Sequence, residues 1–257
     1  MWAFMAHWET GSGRINDLKG FGDACLKHGA MGIVDAASSL GVADYSIDDY
    51  PSVVAWASCP QKGVLSLPLT YAPVSLTDKA IDLVKKRGCY TYVHHPILEG
   101  RHWGIIDGKD VPTPVYHRTH SCYAVAAFHE ALRILLSYGK ARKAADYTYH
   151  EKALRQSVQA MGCKVTSNMP SLVVLNLPGK LAGKEKDLVV KCRDQDFGIW
   201  TTLSKPIQVR IGILNQLTTE AITDIVGRFA DAMLDMGAEF DKQRIMNGLK
   251  SHYAKAD

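Results

Sequence analysis

The sequence contains no apolar run that approaches the roughly 18 residues of a membrane-spanning helix. The apolar stretch at residues 1–6 has no basic region before it and no small-residue cleavage site after it, so it does not look like a signal peptide. We therefore interpret residues 2–7 as a core strand. Internal repeats and low-complexity tracts are also missing, which argues against repeat architectures.

An excess of one charge sign is absent as well, because the net charge is only +4 at pH 7 and the basic residues are scattered. The densest run, residues 85–87, fits a solvated helix end better than a nucleic-acid patch. Aromatic residues are not interleaved with basic ones, as a base-stacking surface would need. The sequence predicts neither a nucleic-acid nor a membrane partner.

The six cysteines include no CxxC pair, which argues against a zinc site or a redox pair. They favour reduced thiols and a cytoplasmic protein, with an organelle left open. His117, His120 and Cys122 have the spacing of candidate metal ligands. Surface-loop histidines explain this stretch better, so we predict no metal.

The first half alternates apolar runs with helical patterns. Helices are expected over residues 16–27, with Gly29 as a left-handed cap, and after a capping box at residues 75–78. Near-continuous apolar strands separated by helices are typical of a parallel sheet covered on both faces. The predicted strands of this sheet are residues 2–7, 31–34, 53–56 and 69–74.

The second half changes character, and we expect a smaller α/β domain there. The prediction is a large domain over residues 1–138 and a small domain over residues 139–257. The tail after Asp241 is polar and is expected to be frayed. The predicted helices are residues 121–138, 141–161, 183–196 and 218–236, and the predicted strands are residues 172–177 and 209–213.

Three polar residues follow the first three strands: Thr10, Asp35 and Lys62. Ligands of open parallel sheets bind beyond the carboxyl ends of the strands, so these side chains are candidates for a site. Taken singly, Asp35 could cap a helix, Lys62 could be a surface lysine and Thr10 a turn residue. His7 is expected to be a core or supporting histidine.

Five segments, taken together and in order, resemble class V aminotransferases of the alanine–glyoxylate or serine–pyruvate type. These are enzymes of fold type I that depend on pyridoxal 5′-phosphate (PLP). The segments are HWETGSG (7–13), VDAASSLG (34–41), SCPQKGVLSLP (58–68), YHRT (116–119) and VRIGIL (209–214).

The resemblance implies a role for each matching residue. Lys62 would carry PLP and shuttle protons, while Asp35 would pair with the ring nitrogen. Thr10 would bind the ring O3′, and Ala37 would lie under the ring. Arg210 would hold the substrate carboxylate. Gln61 would bind the cofactor phosphate, as would Tyr116 and Thr119 from the other subunit of a homodimer.

Some family features have no counterpart here. The family carries a long N-terminal segment with a glycine-rich phosphate turn before the part matched by His7, so we expect that segment to be missing. The strand at residues 2–7 would then be an exposed sheet edge. The predicted function is amino transfer between a small amino acid and a 2-oxo acid such as glyoxylate or pyruvate. The alternatives are a class V PLP lyase, or a truncated non-catalytic chain that binds a partner through that edge. Gln61 favours transamination, because the desulfurases of this class usually carry histidine there.

Overall fold

The computed structural model describes residues 1–68, 71–106, 115–203, 205–215 and 217–254, and these contain ten strands and eight α-helices. The strands are β1 (Trp2–Ala6), β2 (Trp8–Glu9), β3 (Arg14–Ile15), β4 (Met31–Asp35), β5 (Val53–Ala57), β6 (Val74–Leu76), β7 (Lys164–Val165), β8 (Leu172–Asn176), β9 (Trp200–Thr201) and β10 (Val209–Gly212). The helices are α1 (Leu18–Lys27), α2 (Asp78–Arg87), α3 (Pro96–His102), α4 (Cys122–Tyr138), α5 (Lys140–Ala160), α6 (Glu185–Arg193), α7 (Thr219–Asp235) and α8 (Lys242–Tyr253).

The first sheet has the strand order β1-β4-β5-β6, and its first two pairings are parallel. Strand β6 corrects the prediction, because it spans Val74–Leu76 and pairs antiparallel with β5. A parallel neighbour needs a crossover connection, usually a helix, and the described part of residues 58–73 contains none. The chain therefore turns back at the same end of the sheet. Residues 69 and 70 of the predicted strand lie outside the described residues.

Side-chain caps set the start of the first two helices. The Asp17 side chain accepts a hydrogen bond from the Gly20 amide at the start of α1, and Gly29 has a positive φ of 59° just beyond its end. Helix α2 is capped by Thr77, whose hydroxyl accepts from the Ala80 amide over 3.3 Å. The predicted capping residue Ser75 instead belongs to β6.

The second sheet has the order β7-β8-β10-β9, and all its pairings are antiparallel. Its buried strands pack against α5, α6 and α7 in the largest apolar core of the described residues. Helix α8 closes this core with Ile245 and Leu249, which are 7% and 3% exposed. The expected frayed tail is thus wrong. Two apolar side chains on one face of a helix contribute roughly 2 kcal/mol each, enough to dock it.

A small apolar cluster joins the first part of the chain to the second sheet. Trp8 and Val42 from the first part of the chain pack with Tyr147, Leu172 and Val174 from the second. The β2–β3 hairpin lies beside this cluster, and its Gly13 has a φ of 66°. A Cβ on Gly13 would lie 2.6 Å from a Val174 methyl group, so only glycine fits.

No helix in the described part of the chain is both long and apolar enough to cross a bilayer. All six cysteines fall within the described residues, and each is a free thiol.

Candidate active site

The carboxyl ends of β4 and β5 meet at one edge of the first sheet because the two strands are parallel. Strand β4 ends at Asp35, whose side chain is exposed at this edge. The Asp35 carboxylate accepts a hydrogen bond from the Ala37 amide over 2.8 Å. This turn directs the next residues back over the strand ends and fixes the position of the carboxylate.

Two glycines bring the Lys62 segment against this turn. A Cβ on Gly41 would lie 2.5 Å from the Gly63 carbonyl oxygen, and a Cβ on Gly63 would lie 2.1 Å from the Leu40 carbonyl oxygen. Real side chains do not tolerate such distances, so the two backbone segments can approach only without Cβ atoms. The close approach places Lys62 beside the residues that follow Asp35.

The Lys62 ammonium donates a hydrogen bond to the hydroxyl of Ser38 over 2.9 Å. Ser38 is buried, whereas Lys62 is half-buried. A second serine, Ser58, donates to the Ala36 carbonyl over 3.0 Å and ties the end of β5 to the same turn. An ammonium group, a carboxylate and a hydroxyl therefore lie together at the sheet edge.

His7 lies next to the end of β4 and supports this edge of the sheet. Its amide donates to the Asp35 carbonyl over 2.9 Å, and its ring packs edge-on against Tyr45 at 5.2 Å. Burial lowers the pKa of His7 to about 4, so the ring is neutral near pH 7. Its Nδ1 has no hydrogen-bond partner among the described residues. His7 is a buried supporting residue, as its sequence context predicts.

Arg210 approaches the same region from β10 of the second sheet. Its Nη1 donates to the Thr10 carbonyl oxygen over 3.0 Å. The Arg210 Nε is buried, with no partner within the described ranges. A buried guanidinium N–H without an acceptor is costly, and a carboxylate ligand would satisfy it.

The remaining predicted site residues differ in environment. Ala37 is half-buried within the turn after Asp35, and Gln61 is exposed at the edge. Tyr116 and Thr119 are exposed and hydrogen-bond to each other through their hydroxyls. They belong to a second cluster, around Glu99 of α3.

The structure thus brings Asp35, Ala37 and Lys62 together, and it joins Thr10 to Arg210. Sequence reasoning missed Ser38, although it lies three residues after Asp35 in the same segment. The hydroxyl in the turn that follows a strand-end carboxylate is the signal that could have identified it. Among the described residues, no three His, Cys, Asp or Glu side chains are arranged to hold a metal ion.

These residues fit PLP by their chemistry. Asp35 offers a carboxylate to a cationic ring nitrogen, and Lys62 offers an amine to an aldehyde. The unpartnered Arg210 Nε suits the carboxylate of an amino-acid substrate.

Comparison with known proteins supports this assignment. The chain is 27% identical over 213 residues to the (S)-ureidoglycine–glyoxylate transaminase of Bacillus subtilis, covering 76% of this chain and 50% of that protein. It is 26% identical over 245 residues to the alanine–glyoxylate aminotransferase of Mus musculus, covering 90% and 55%. No protein-family model matches the chain.

Solved structures of aminotransferases share the fold. The ureidoglycine–glyoxylate aminotransferase from Bacillus subtilis superposes with a TM-score of 0.88 at 22% identity, over 98% of this chain and 65% of that one. Pyridoxamine–pyruvate aminotransferase from Mesorhizobium loti gives 0.82 at 19% identity, over 100% and 65%. The predicted fold class and the resemblance to class V aminotransferases are confirmed. The chain spans about half the length of the curated relatives it matches.

Proposed function

We propose that this chain acts as a PLP-dependent aminotransferase, moving an amino group between a small amino acid and a 2-oxo acid such as glyoxylate or pyruvate. The observation that carries the proposal is the contact of Lys62 with the Ser38 turn that begins at Asp35. An amine and a carboxylate are thus carried by adjoining segments at a strand-end edge in an aminotransferase fold. The matched relatives are named for glyoxylate as a substrate.

When bound, PLP supplies an electron-poor ring that accepts the electron pair left by a broken substrate C–H bond. Lys62 would hold the cofactor through its Nζ, and the same nitrogen would take up and return the substrate proton. The Ser38 hydroxyl would orient the free amine, since it already accepts a hydrogen bond from it.

Asp35 would keep the ring nitrogen protonated. Its carboxylate is held by the Ala37 amide, so little reorganisation is needed on binding. Thr10 would bind the ring O3′ through its hydroxyl, and Ala37 would pack against the ring face. Gln61 would contribute to the phosphate site.

Arg210 would bind the substrate carboxylate. Its guanidinium is anchored at one end by the Thr10 carbonyl, while its Nε still lacks an acceptor. A planar guanidinium binds a carboxylate through two parallel hydrogen bonds, which selects amino acids and 2-oxo acids over simple amines and aldehydes.

We also propose a homodimer in the cytoplasm. The exposed Tyr116 and Thr119 hydroxyls would then reach the phosphate of the neighbouring subunit's cofactor, as the resemblance implies. Free thiols at all six cysteines suit a reducing compartment.

We place the proposed boundary between the large and the small domain near Gly139, which separates α4 from α5.

A second candidate is partner binding through the edge of the first sheet. Strand β1 is at the edge of the described strands, and its Trp2 and Phe4 side chains are 41% and 73% exposed. Such an edge can accept a strand from another chain. Loss of self-association in a Phe4→Lys variant would support this candidate.

Borohydride reduction of the PLP-treated protein tests the main proposal. Peptide mapping should find a pyridoxyl group on Lys62, and Lys62→Ala should lose both this label and transamination between alanine and glyoxylate. Lys27→Ala, an exposed lysine at the end of α1, is the matched control and should retain both. Labelling that persists unchanged in Lys62→Ala would refute the assignment.

A further inference from the structure

The Glu99 carboxylate connects α3 to the segment 115–121, which carries Tyr116 and Thr119. Its Oε1 accepts a hydrogen bond from the Trp103 indole N–H over 3.0 Å. Its Oε2 accepts from the Arg118 Nε over 3.1 Å. The Nε2 of His120 lies 2.9 Å from Oε1 without the geometry of a hydrogen bond. Burial lowers the pKa of His120, so near pH 7 the neutral ring packs against Glu99. One side chain thus holds two residues of the segment.

His117 fixes the same segment through its backbone. Its amide donates to the His102 Nδ1 over 3.1 Å, and the Tyr92 hydroxyl donates to its carbonyl over 2.5 Å. The His117 ring is 2% exposed and lies 3.6 Å from Glu99. Residues 117, 118 and 120 therefore all turn toward α3 and Glu99.

Tyr116 and Thr119, the other two residues of this stretch, face away from Glu99. Tyr116 is 70% exposed, and Thr119 is also exposed. Their hydroxyls hydrogen-bond to each other, so the two oxygens lie side by side and one of the two protons is used in this mutual bond. Because neither side chain is buried, their placement depends on the inward contacts of the intervening residues. Donors that are held in place before binding lose less entropy when an anion binds.

Glu99 is suited to this task because it is ionised. Burial alone would raise its pKa, but hydrogen bonds from Trp103 and Arg118 outweigh burial and hold the pKa of Glu99 below its usual value. Hydrogen bonds to an ionised carboxylate are roughly twice as strong as those between neutral groups.

We infer that Glu99 is a positioning residue, which sets the 115–121 segment so that the Tyr116 and Thr119 hydroxyls together bind a cofactor phosphate. This inference rests on the proposed PLP function. Glu99 itself does not touch the phosphate and acts through Arg118, His120 and the His117 ring.

Hydrogen exchange of the cofactor-free chain tests the positioning role directly. Glu99→Gln keeps the size of the side chain but removes its charge, and it should speed exchange of the His117 amide, which donates to the His102 Nδ1. We expect about a ten-fold increase, the scale of one charge-assisted hydrogen bond. Glu130→Gln is the matched control, because it removes the same charge from the exposed Glu130–Arg133 pair on α4 and should leave this amide unchanged.

A PLP titration of the same proteins, followed by absorbance, tests whether the segment 115–121 contributes to PLP binding. Glu99→Gln should weaken PLP binding by roughly ten-fold, whereas Glu130→Gln should not. Trp103→Phe removes one donor to Glu99 and should give smaller changes of the same kind, which covers the case in which Glu99→Gln does not fold. Unchanged exchange in both variants would overturn the inference, as would faster exchange with unaltered PLP affinity. Failure of the unmodified chain to take up PLP at Lys62 would instead refute the proposed function, while the exchange result would still decide the role of Glu99.

Discussion

Arg210 and Thr10, two hundred residues apart in sequence, are joined by a hydrogen bond of 3.0 Å from the Arg210 Nη1 to the Thr10 carbonyl. The contact connects β10 of the second sheet to the turn that follows β2. A main-chain acceptor orients the guanidinium without neutralising its charge. The cation is therefore kept available next to the turn that carries Thr10.

Arg210→Lys should weaken binding of carboxylate ligands by about 10- to 100-fold, because a hydrogen bond to a charged group contributes about 1.5–3 kcal/mol. Binding of glyoxylate would be compared with that of acetaldehyde, which lacks the carboxylate. Only glyoxylate binding should weaken. Arg228→Lys, which changes a half-buried arginine bonded to Asp224 and to the Gln195 carbonyl, is the control. Equal losses for both ligands would make Arg210 a structural residue only.

Asp35→Asn should reduce transamination by roughly two orders of magnitude, the scale of a lost electrostatic partner at an active site. Asparagine keeps the side-chain oxygen that accepts from the Ala37 amide, so the turn should persist. PLP should still label Lys62 in this variant. Steady-state rates and borohydride labelling would be measured together. A variant that turns over normally would show that Asp35 does not pair with the ring.

The sequence alone predicted those elements for which the local apolar pattern and the packing of the fold favour the same structure. The apolar runs ending at Asp35 and before Ser58 predict β4 and β5, and the polar residues after them lie together because parallel strands end at one edge. The contact of Lys62 with Ser38 was not predictable, because it depends on two glycines from separate segments, Gly41 and Gly63. No periodic pattern encodes that approach.

Helix α8 was missed for a related reason. Its apolar residues, Ile245, Met246 and Leu249, are few and lie among polar ones, so the segment has the composition of a solvated tail. Only the core formed by α5 and α7 gives Ile245 and Leu249 a place to be buried. The contacts of Glu99 could not be predicted either, because its partners Arg118 and His120 come from a different segment.

Gly41→Ala should destabilise the fold and displace Lys62. The new Cβ would lie 2.5 Å from the Gly63 carbonyl oxygen, in addition to the strain of a φ of 77°. Gly29→Ala is the matched control, because φ is 59° there but nothing lies within 4 Å of the new Cβ. Backbone strain alone should cost Gly29→Ala about 1–2 kcal/mol.

The clash should make the loss in Gly41→Ala larger than that in Gly29→Ala, and only Gly41→Ala should lower PLP labelling of Lys62. Urea unfolding and borohydride labelling provide the two measurements. Equal destabilisation and equal labelling in the two variants would show that the Gly41–Gly63 approach does not position Lys62.

Leu249→Ala should lower the free energy of unfolding by about 2–4 kcal/mol, as expected for a leucine removed from a packed core. Leu249 is 3% exposed and lies in the core shared by α5, α7 and α8. Lys250→Ala, at the next and exposed position of the same helix, should change it by less than about 0.5 kcal/mol. Similar small effects at both positions would mean that α8 does not dock.

His7 should make the stability depend on pH below neutrality. Burial lowers its pKa from 6.5 to about 4, so between these values the unfolded chain binds a proton that the folded chain does not. Stability from this residue is therefore complete above pH 6.5 and is lost as the pH falls toward 4. The loss amounts to at most about 3 kcal/mol, because each pKa unit corresponds to about 1.4 kcal/mol.

Burial also lowers the pKa values of His120 and His150, which add to the same pH dependence of stability. His7→Phe should thus flatten the dependence without abolishing it, since phenylalanine fills the site beside Tyr45 and cannot be protonated. Urea unfolding of both proteins between pH 4.5 and pH 8 would measure the difference. Two parallel curves would show that His7 is not buried as a neutral ring, and that the edge carrying Asp35 is more open to water than its contacts indicate.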